Sequence, residues 1–175
     1  KKLLEMVRKN LLAHMGASGG QLYELGQALH LEMLPKTMVC VDISHLSGTQ
    51  TVGSLVQFTN GIPAKSGYRK FIIKTVEGIN DFASIEEVVL RYGKRILEGK
   101  EKRPDLLVID GGRGQLNSAL KSLHALNLSL PTIGLAKRLE EIYVSWAPIP
   151  LRLHPKNQGL QLLRALRDEA HRFAI

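Results

Sequence analysis

The sequence is short of cysteine, aromatic residues and acid. A single cysteine, Cys40, occurs in 175 residues, which excludes an internal disulfide framework, and no Cys/His cluster has the spacing of a zinc site. Cys40 lies inside an apolar run and reads as a small buried hydrophobe of a reducing compartment. Aromatic side chains make up 5% of the chain, with one tryptophan, Trp146; set among prolines, it packs a loop or stacks on a base. Apolar runs stop at four to six residues, too short to span a bilayer. Asp and Glu number 16 against 24 Lys and Arg, giving a net charge of +8 and a pI near 9.7. That balance favours a polyanionic partner, nucleic acid before an anionic membrane. No GKS/T phosphate loop or GxGxxG fingerprint is present, which leaves nucleotide binding without support.

What remains is an ordinary globular composition, 44% hydrophobic and 23% charged, long enough for one domain with a real core. Residues 1–36 read as a helical lead-in: Leu3, Leu4, Val7 and Leu11 mark one apolar face, and Leu22, Leu25 and Leu29 a second. Gly16–Gly20 separates the two and Pro35 closes the segment. The chain starts at Lys1 without methionine and reads as an excised piece of a longer protein. Residues 37–175 read as one domain. MVCVDI, TVGSLVQF and YRKFIIKTV, separated by turn-rich stretches, predict an antiparallel meander. A helix follows with Asp81 as N-cap and Ile85, Val88, Val89, Tyr92 and Ile96 on its apolar face. DLLVID is a strand covered on both faces, GGRG opens a second helix, and LPTIGLA is a further strand. EEIYVSW and PLRLHP pair as a hairpin, and a last helix spans about Gln158 to His171. The order predicts an α/β mixed sheet, three antiparallel strands then parallel α/β units, with helices on both faces.

A right-handed crossover through the helix after Asp81 places DLLVID parallel to and beside MVCVDI. Asp42 and Asp110 then become neighbours at the carboxyl ends of adjacent strands, where open α/β sheets hold their sites. Each acid alone has an ordinary reading: a strand-end Asx turn for Asp42, a helix N-cap for Asp110. Together they describe an oxygen-rich site for Mg2+ or Mn2+, because unpaired buried carboxylates are costly without a cation. Gly111–Gly114 forms a tight turn that also lets a phosphate come near Asp110. In the last helix Leu163, Leu166, Ala170 and Phe173 point one way, and Arg164, Arg167, Asp168 and His171 the other. His171 is either a favourable helix C-terminal histidine or a metal ligand or acid/base. Asp81 is either an N-cap or a catalytic acid. Lys137, Arg113, Arg164, Arg167 and Arg172 are candidate phosphate contacts, while His45, His124 and His154 show no visible partner.

VDISHLSGTQTVGSLVQF, GYRKFIIKTVEGINDFASIEEVVLRYGKR, PDLLVIDGGRGQLNSAL, GLAK and LRDEAHRFAI occur in that order from Met38 to Ile175. Together they resemble the C-terminal endonuclease half of the UvrC family. The resemblance implies a ribonuclease-H-like fold, a divalent metal, and an incision 5′ to a DNA lesion in bacterial nucleotide excision repair. It implies a metal-binding, catalytic set matching Asp42, Asp110 and His171, with a further family acid matching Asp81. Asn80 stands where that segment often has a first acid, and a histidine in place of an acidic ligand argues against a strict two-metal scheme. It also implies damaged double-stranded DNA and UvrB, with UvrA upstream, as partners, no membrane, a cytoplasmic setting and a monomeric domain. The family's second nuclease, its UvrB-contacting segment and its helix-hairpin-helix domain are expected outside this chain, and the EEIYVSWAPIP connection is shorter than the family pattern. The rival readings are a noncatalytic nucleic-acid-binding module of the same fold and an ATP-handling relative.

Overall fold

Strand-forming β-branched runs fill the centre of the molecule and amphipathic helices close over both sides. A computed structural model describes residues 1–13, 18–46 and 50–175; the expected break at Gly16 and the turn at Ser47–Thr49 lie outside these, as do the side chains of Leu4, Val7 and Leu11. The elements run α1 (Lys2–Ala13), α2 (Gly19–Ala28), β1 (Thr37–Leu46), β2 (Gln50–Thr59), β3 (Ile62–Pro63), β4 (Arg69–Ile72), α3 (Asp81–Leu97), β5 (Leu106–Asp110), α4 (Arg113–Ala125), β6 (Thr132–Leu135), β7 (Ile142–Val144) and α5 (Gln158–Ala174).

The sheet order is β3-β2-β1-β5-β6-β7, with β4 also pairing β2. β1 and β2 pair antiparallel over their whole length, and β4 pairs antiparallel with Val52–Leu55, as the meander predicts. β5 lies parallel to β1, with Val41 opposite Ile109, and β6 lies parallel to β5. The mixed α/β architecture with helices on both faces is therefore the one the sequence predicts. Two local readings change. β7 pairs antiparallel with β6, and the expected hairpin with PLRLHP shrinks to one bridge between Ile142 and Leu151. Pro148 and Pro150 lack the N–H groups that a longer ladder needs. Asp81 is the first residue of α3, not its cap: the Asn80 side chain accepts a hydrogen bond from Ala83 N at 3.0 Å.

Alternation along the strands sends side chains to opposite faces, so two apolar clusters form. Met38, Cys40, Val56, Leu106, Val108, Ile133 and Leu135 pack with Leu22 and Leu25 of α2, with Leu29 at its C-terminal cap, and with Leu162, Leu163, Leu166 and Ala170 of α5. Val39, Val41, Leu55, Leu107 and Ile109 pack with Ile85, Val88, Val89 and Tyr92 of α3 and Ala119 and Leu123 of α4. Although α2 precedes the boundary expected at residue 36, Leu22, Leu25 and the capping Leu29 are at most 1% exposed. Asp42 and Asp110 share the α5-facing side with Cys40 and Val108, one pleat nearer the strand ends.

α3 approaches the sheet closely enough to dictate glycine at position 53. A Cβ there would lie 2.3 Å from Val88 Cγ2, and valine has little rotamer freedom in a helix with which to yield. Replacing a strand glycine by alanine ordinarily helps by roughly 0.5–1 kcal/mol, but overpacking costs about 1–3 kcal/mol. Gly53→Ala is thus expected to lower unfolding free energy in urea by about 1–2 kcal/mol. Equal or greater stability would contradict this packing.

Candidate metal centre

Three side chains from distant parts of the chain meet above the ends of β1 and β5. Asp42 is 8% exposed, and its Oδ2 lies 2.9 Å from His171 Nδ1. The other ring nitrogen, Nε2, lies 3.5 Å from Asp110 Oδ2. One potential ligand atom from each residue falls within 4.8 Å of the other two. Among the described residues this is the one group of three or more His, Cys, Asp and Glu side chains so arranged. The position follows from topology: parallel pairing sets the two acids side by side, and α5 crosses that face so that its last full turn delivers His171.

Burial pushes the Asp110 carboxyl up to about 6, and the hydrogen bond and charge of the neighbouring Asp42 add to the rise; His171 and Arg167 pull it back. Two like charges in a poorly solvated site are what a cation relieves. Two carboxylates and an imidazole suit Mg2+ or Mn2+, both oxygen-preferring, with manganese the readier to accept the nitrogen. Burial likewise raises the Cys40 thiol, helped by Asp110 and Asp42. Cys40 therefore stays a protonated core residue, as its setting in an apolar run predicts.

The frame around the trio is stiff. Glu169 is held down to about 2 by Arg172, at 2.5 and 2.8 Å, and by the Tyr68 hydroxyl, which donates to it at 2.6 Å. Tyr68 also meets Phe173 edge-on at 5.0 Å, so the turn bearing His171 is tied to the segment before β4. The turn after Asp110 packs on β6 at Gly134, where a Cβ would lie 3.0 Å from Gly111 O and 3.2 Å from Gly112 O. Gly112, not Asp110, is the N-cap of α4, which leaves the acid free for the site.

The other expected site residues are placed differently. Asp81 stands outside the trio and accepts a hydrogen bond from His45 Nε2 at 2.9 Å, while His45 Nδ1 meets Thr51 Oγ1 at 3.0 Å. His45, read from sequence as partnerless, thus ties the β1–β2 strand ends to the start of α3. Arg113 donates to the carbonyls of Val144, Ala147 and Pro148 and lies over the Tyr143 ring. Arg164 forms a double hydrogen bond to Glu140, which Arg167 also approaches at 3.5 Å. With Arg172 on Glu169, four of the five candidate phosphate contacts are engaged inside the fold. Lys137 is exposed and makes no ion pair among the described residues. Sequence reading missed Glu140, the anchor for two arginines of α5; the doubled acid in EEIY beside a basic helix was its only signal. It also missed Ser54, which lies directly across from Asp42.

Comparison with known proteins bears on these residues. A family model described as the UvrC RNAse H endonuclease domain matches residues 26–175. The chain is 49% identical over 175 residues to UvrABC system protein C of Methanosarcina mazei, covering all of this chain and 34% of that protein. It is 49% identical over 170 residues to UvrABC system protein C of Chlorobaculum tepidum, covering 97% and 27%. The chain thus spans about a third or less of the curated relatives it matches. Among solved structures, human ENDOV superposes with a TM-score of 0.45 at 12% identity, over 85% of this chain and 90% of that one, a likeness too low to carry a functional argument.

The raised Asp110 carboxyl has a consequence for stability. In the unfolded chain an aspartate titrates near 3.9, so between about pH 4 and 6 the folded state binds the extra proton. Stability from this group is therefore present at low pH and falls as pH rises through that window. With metal chelated, Asp110→Asn should melt at a higher temperature than wild type above pH 6, and the gap should close below about pH 4. A gap that is constant with pH would contradict a site strained by paired carboxylates.

Proposed function

The chain belongs to the UvrC RNase H endonuclease domain family, and from that premise we propose that it hydrolyses DNA phosphodiesters at a divalent-metal site formed by Asp42, Asp110 and His171. The observation that carries the reading is the convergence of two strand-end acids with a histidine 129 residues away from the first of them. Asp42 and Asp110 would hold Mg2+ or Mn2+ through their carboxylates, and His171 would either complete the ligand set or move a proton at Nε2. Bound there, the cation supplies Lewis-acid polarisation of a phosphoryl oxygen and lowers the pKa of a coordinated water. Burial of Asp42 limits access of bulk water, and the His171 contact would hold its carboxylate until a cation draws both residues in.

DNA would reach the site over the Gly111–Gly112 turn, with Lys137 beside it as the unpaired cation. The exposed guanidinium of Arg172 and that of Arg164 would contribute by exchanging their acidic partners for phosphates. Such contacts give salt-dependent, sequence-independent binding. No base-reading motif is present, so lesion choice would fall to partners, UvrB with UvrA upstream. The product would be the incision 5′ to the lesion in nucleotide excision repair. No helix among the described residues is long and apolar enough to cross a membrane; the DNA substrate would place the reaction in the cytoplasm. Asp81, bonded to His45, would serve by fixing the start of α3 rather than by holding the cation.

Two experiments test this. Nicking of supercoiled plasmid by the chain should require Mg2+ or Mn2+ and fall by more than the roughly 10–100-fold typical of outer-shell changes in Asp42→Ala, Asp110→Asn and His171→Ala. An Asp110→Asn protein that cuts like wild type would sink the site. In a reconstituted reaction with the partner proteins and a single-lesion duplex, the band lost in Asp42→Ala should be the 5′ cut; loss of the 3′ cut instead would refute that assignment.

A further inference from the structure

Every buried polar side chain should have a partner, and unpaired exceptions call for an explanation. Among the described residues two such side-chain atoms have none: Ser54 Oγ and Arg167 Nη1. Ser54 is fully buried. Leaving a hydroxyl unpaired in the core is costly, and Ala at the same place in a strand would avoid that cost. What the hydroxyl faces explains its retention. Ser54 is the register partner of Asp42 on one side and of Lys70 on the other. Cross-strand partners project to the same face with Cβ atoms about 4.5–5.5 Å apart. Lys70 is a donor, and its Nζ lies over the Phe173 ring at 4.8 Å. The acceptor within cross-strand reach is the Asp42 carboxylate.

The Asp42 carboxylate is already engaged: it bonds His171 and faces the Asp110 carboxyl within the same trio. Both contacts must be given up in part when the two acids and the imidazole turn toward one ion. We propose that Ser54 is a positioning residue of the metal-loaded site, its hydroxyl donating to the Asp42 carboxylate once that carboxylate takes up a cation. The inference rests on the metal reading of Asp42, Asp110 and His171. It makes the idle hydroxyl a donor held in reserve, oriented by the β1–β2 register and shut off from water that would compete for the same lone pair. Outer-shell donors of this kind fix ligand orientation, and their loss typically lowers metal affinity about 10–100-fold.

The test measures stability and metal binding separately, with Mn2+ alone as the probe and electron paramagnetic resonance of free Mn2+ as the readout. Ser54→Ala should melt at the same or a higher temperature than wild type in chelator, and bind Mn2+ about 10–100-fold more weakly. Ser54→Thr, which keeps the hydroxyl, should restore most of that affinity. Wild-type Mn2+ affinity in Ser54→Ala would overturn the inference, as would equal weakening in Ser54→Thr and Ser54→Ala. The metal reading fails differently: wild-type protein that binds no Mn2+, or Asp42→Ala protein that binds it as wild type does, would remove the site itself and the role of Ser54 with it.

Discussion

Two carboxylates buried one strand apart repel each other, and the arrangement of the rest of the molecule holds them there. Asp42 and Asp110 come together because β1 and β5 are parallel neighbours, and parallel neighbours demand a long crossover, supplied here by β2, β4 and α3. That crossover puts α3 on the far face, the β5–β6 connection adds α4 beside it, and the near face is left for α2 and α5. Packing of Leu162, Leu163, Leu166 and Ala170 then fixes the helix at a phase that brings His171 between the acids. A one-residue slip in the β1–β5 register would turn one acid to the opposite face and leave the other alone.

Four arginines around the site serve as internal bracing rather than as open surface. Arg113 secures the loop after β7, Glu140 gathers Arg164 and Arg167, and Glu169 binds Arg172 while accepting from Tyr68. Each of these pairs lies at or beside the elements that carry the site. The partly exposed pairs contribute little to stability on their own; what they supply is orientation of α5 and of the β6–β7 turn. An arginine already paired can release its acid to a phosphate with small net cost, because one charge-assisted hydrogen bond replaces another.

Long-range architecture was legible in the sequence where periodicity was strong. The run of β-branched residues before Asp42, the unbroken LLVI before Asp110 and the 3.6-residue face of Leu163, Leu166 and Ala170 each have one reading, and combining them forces the two acids together. Less legible were the features decided by side-chain reach. Asn80 and Asp81 are both good caps; Asn80 takes the role, while Asp81 bonds His45 instead. On helical phase alone His171 belongs to a polar stripe; its contact with Asp42 depends on how near the strand ends α5 passes, which periodicity does not encode. The pairing of β7 with β6 was obscured because three residues are too few to alternate, and prolines on the far side weakened the competing hairpin.

Departures from good local design collect in one layer of the sheet. Across the α5-facing side the register reads Lys70, Ser54, Asp42, then Asp110 and Leu135. Within or against that row lie a carboxyl raised to about 6, an idle buried hydroxyl and an arginine with one unpaired nitrogen. One pleat further in, the rows of Cys40 and Val108 are wholly apolar and closed. A sequence selected for stability alone would have no reason to break its own rules in a single row and keep them in the next. Such concentrated violations are what a functional site would leave, and here they share one electrostatic sense: two acids wanting a cation, with hydrogen-bond donors ranged around them. In the proposed reading a divalent ion would resolve the first and, by reorienting Asp42, would give the Ser54 donor its acceptor.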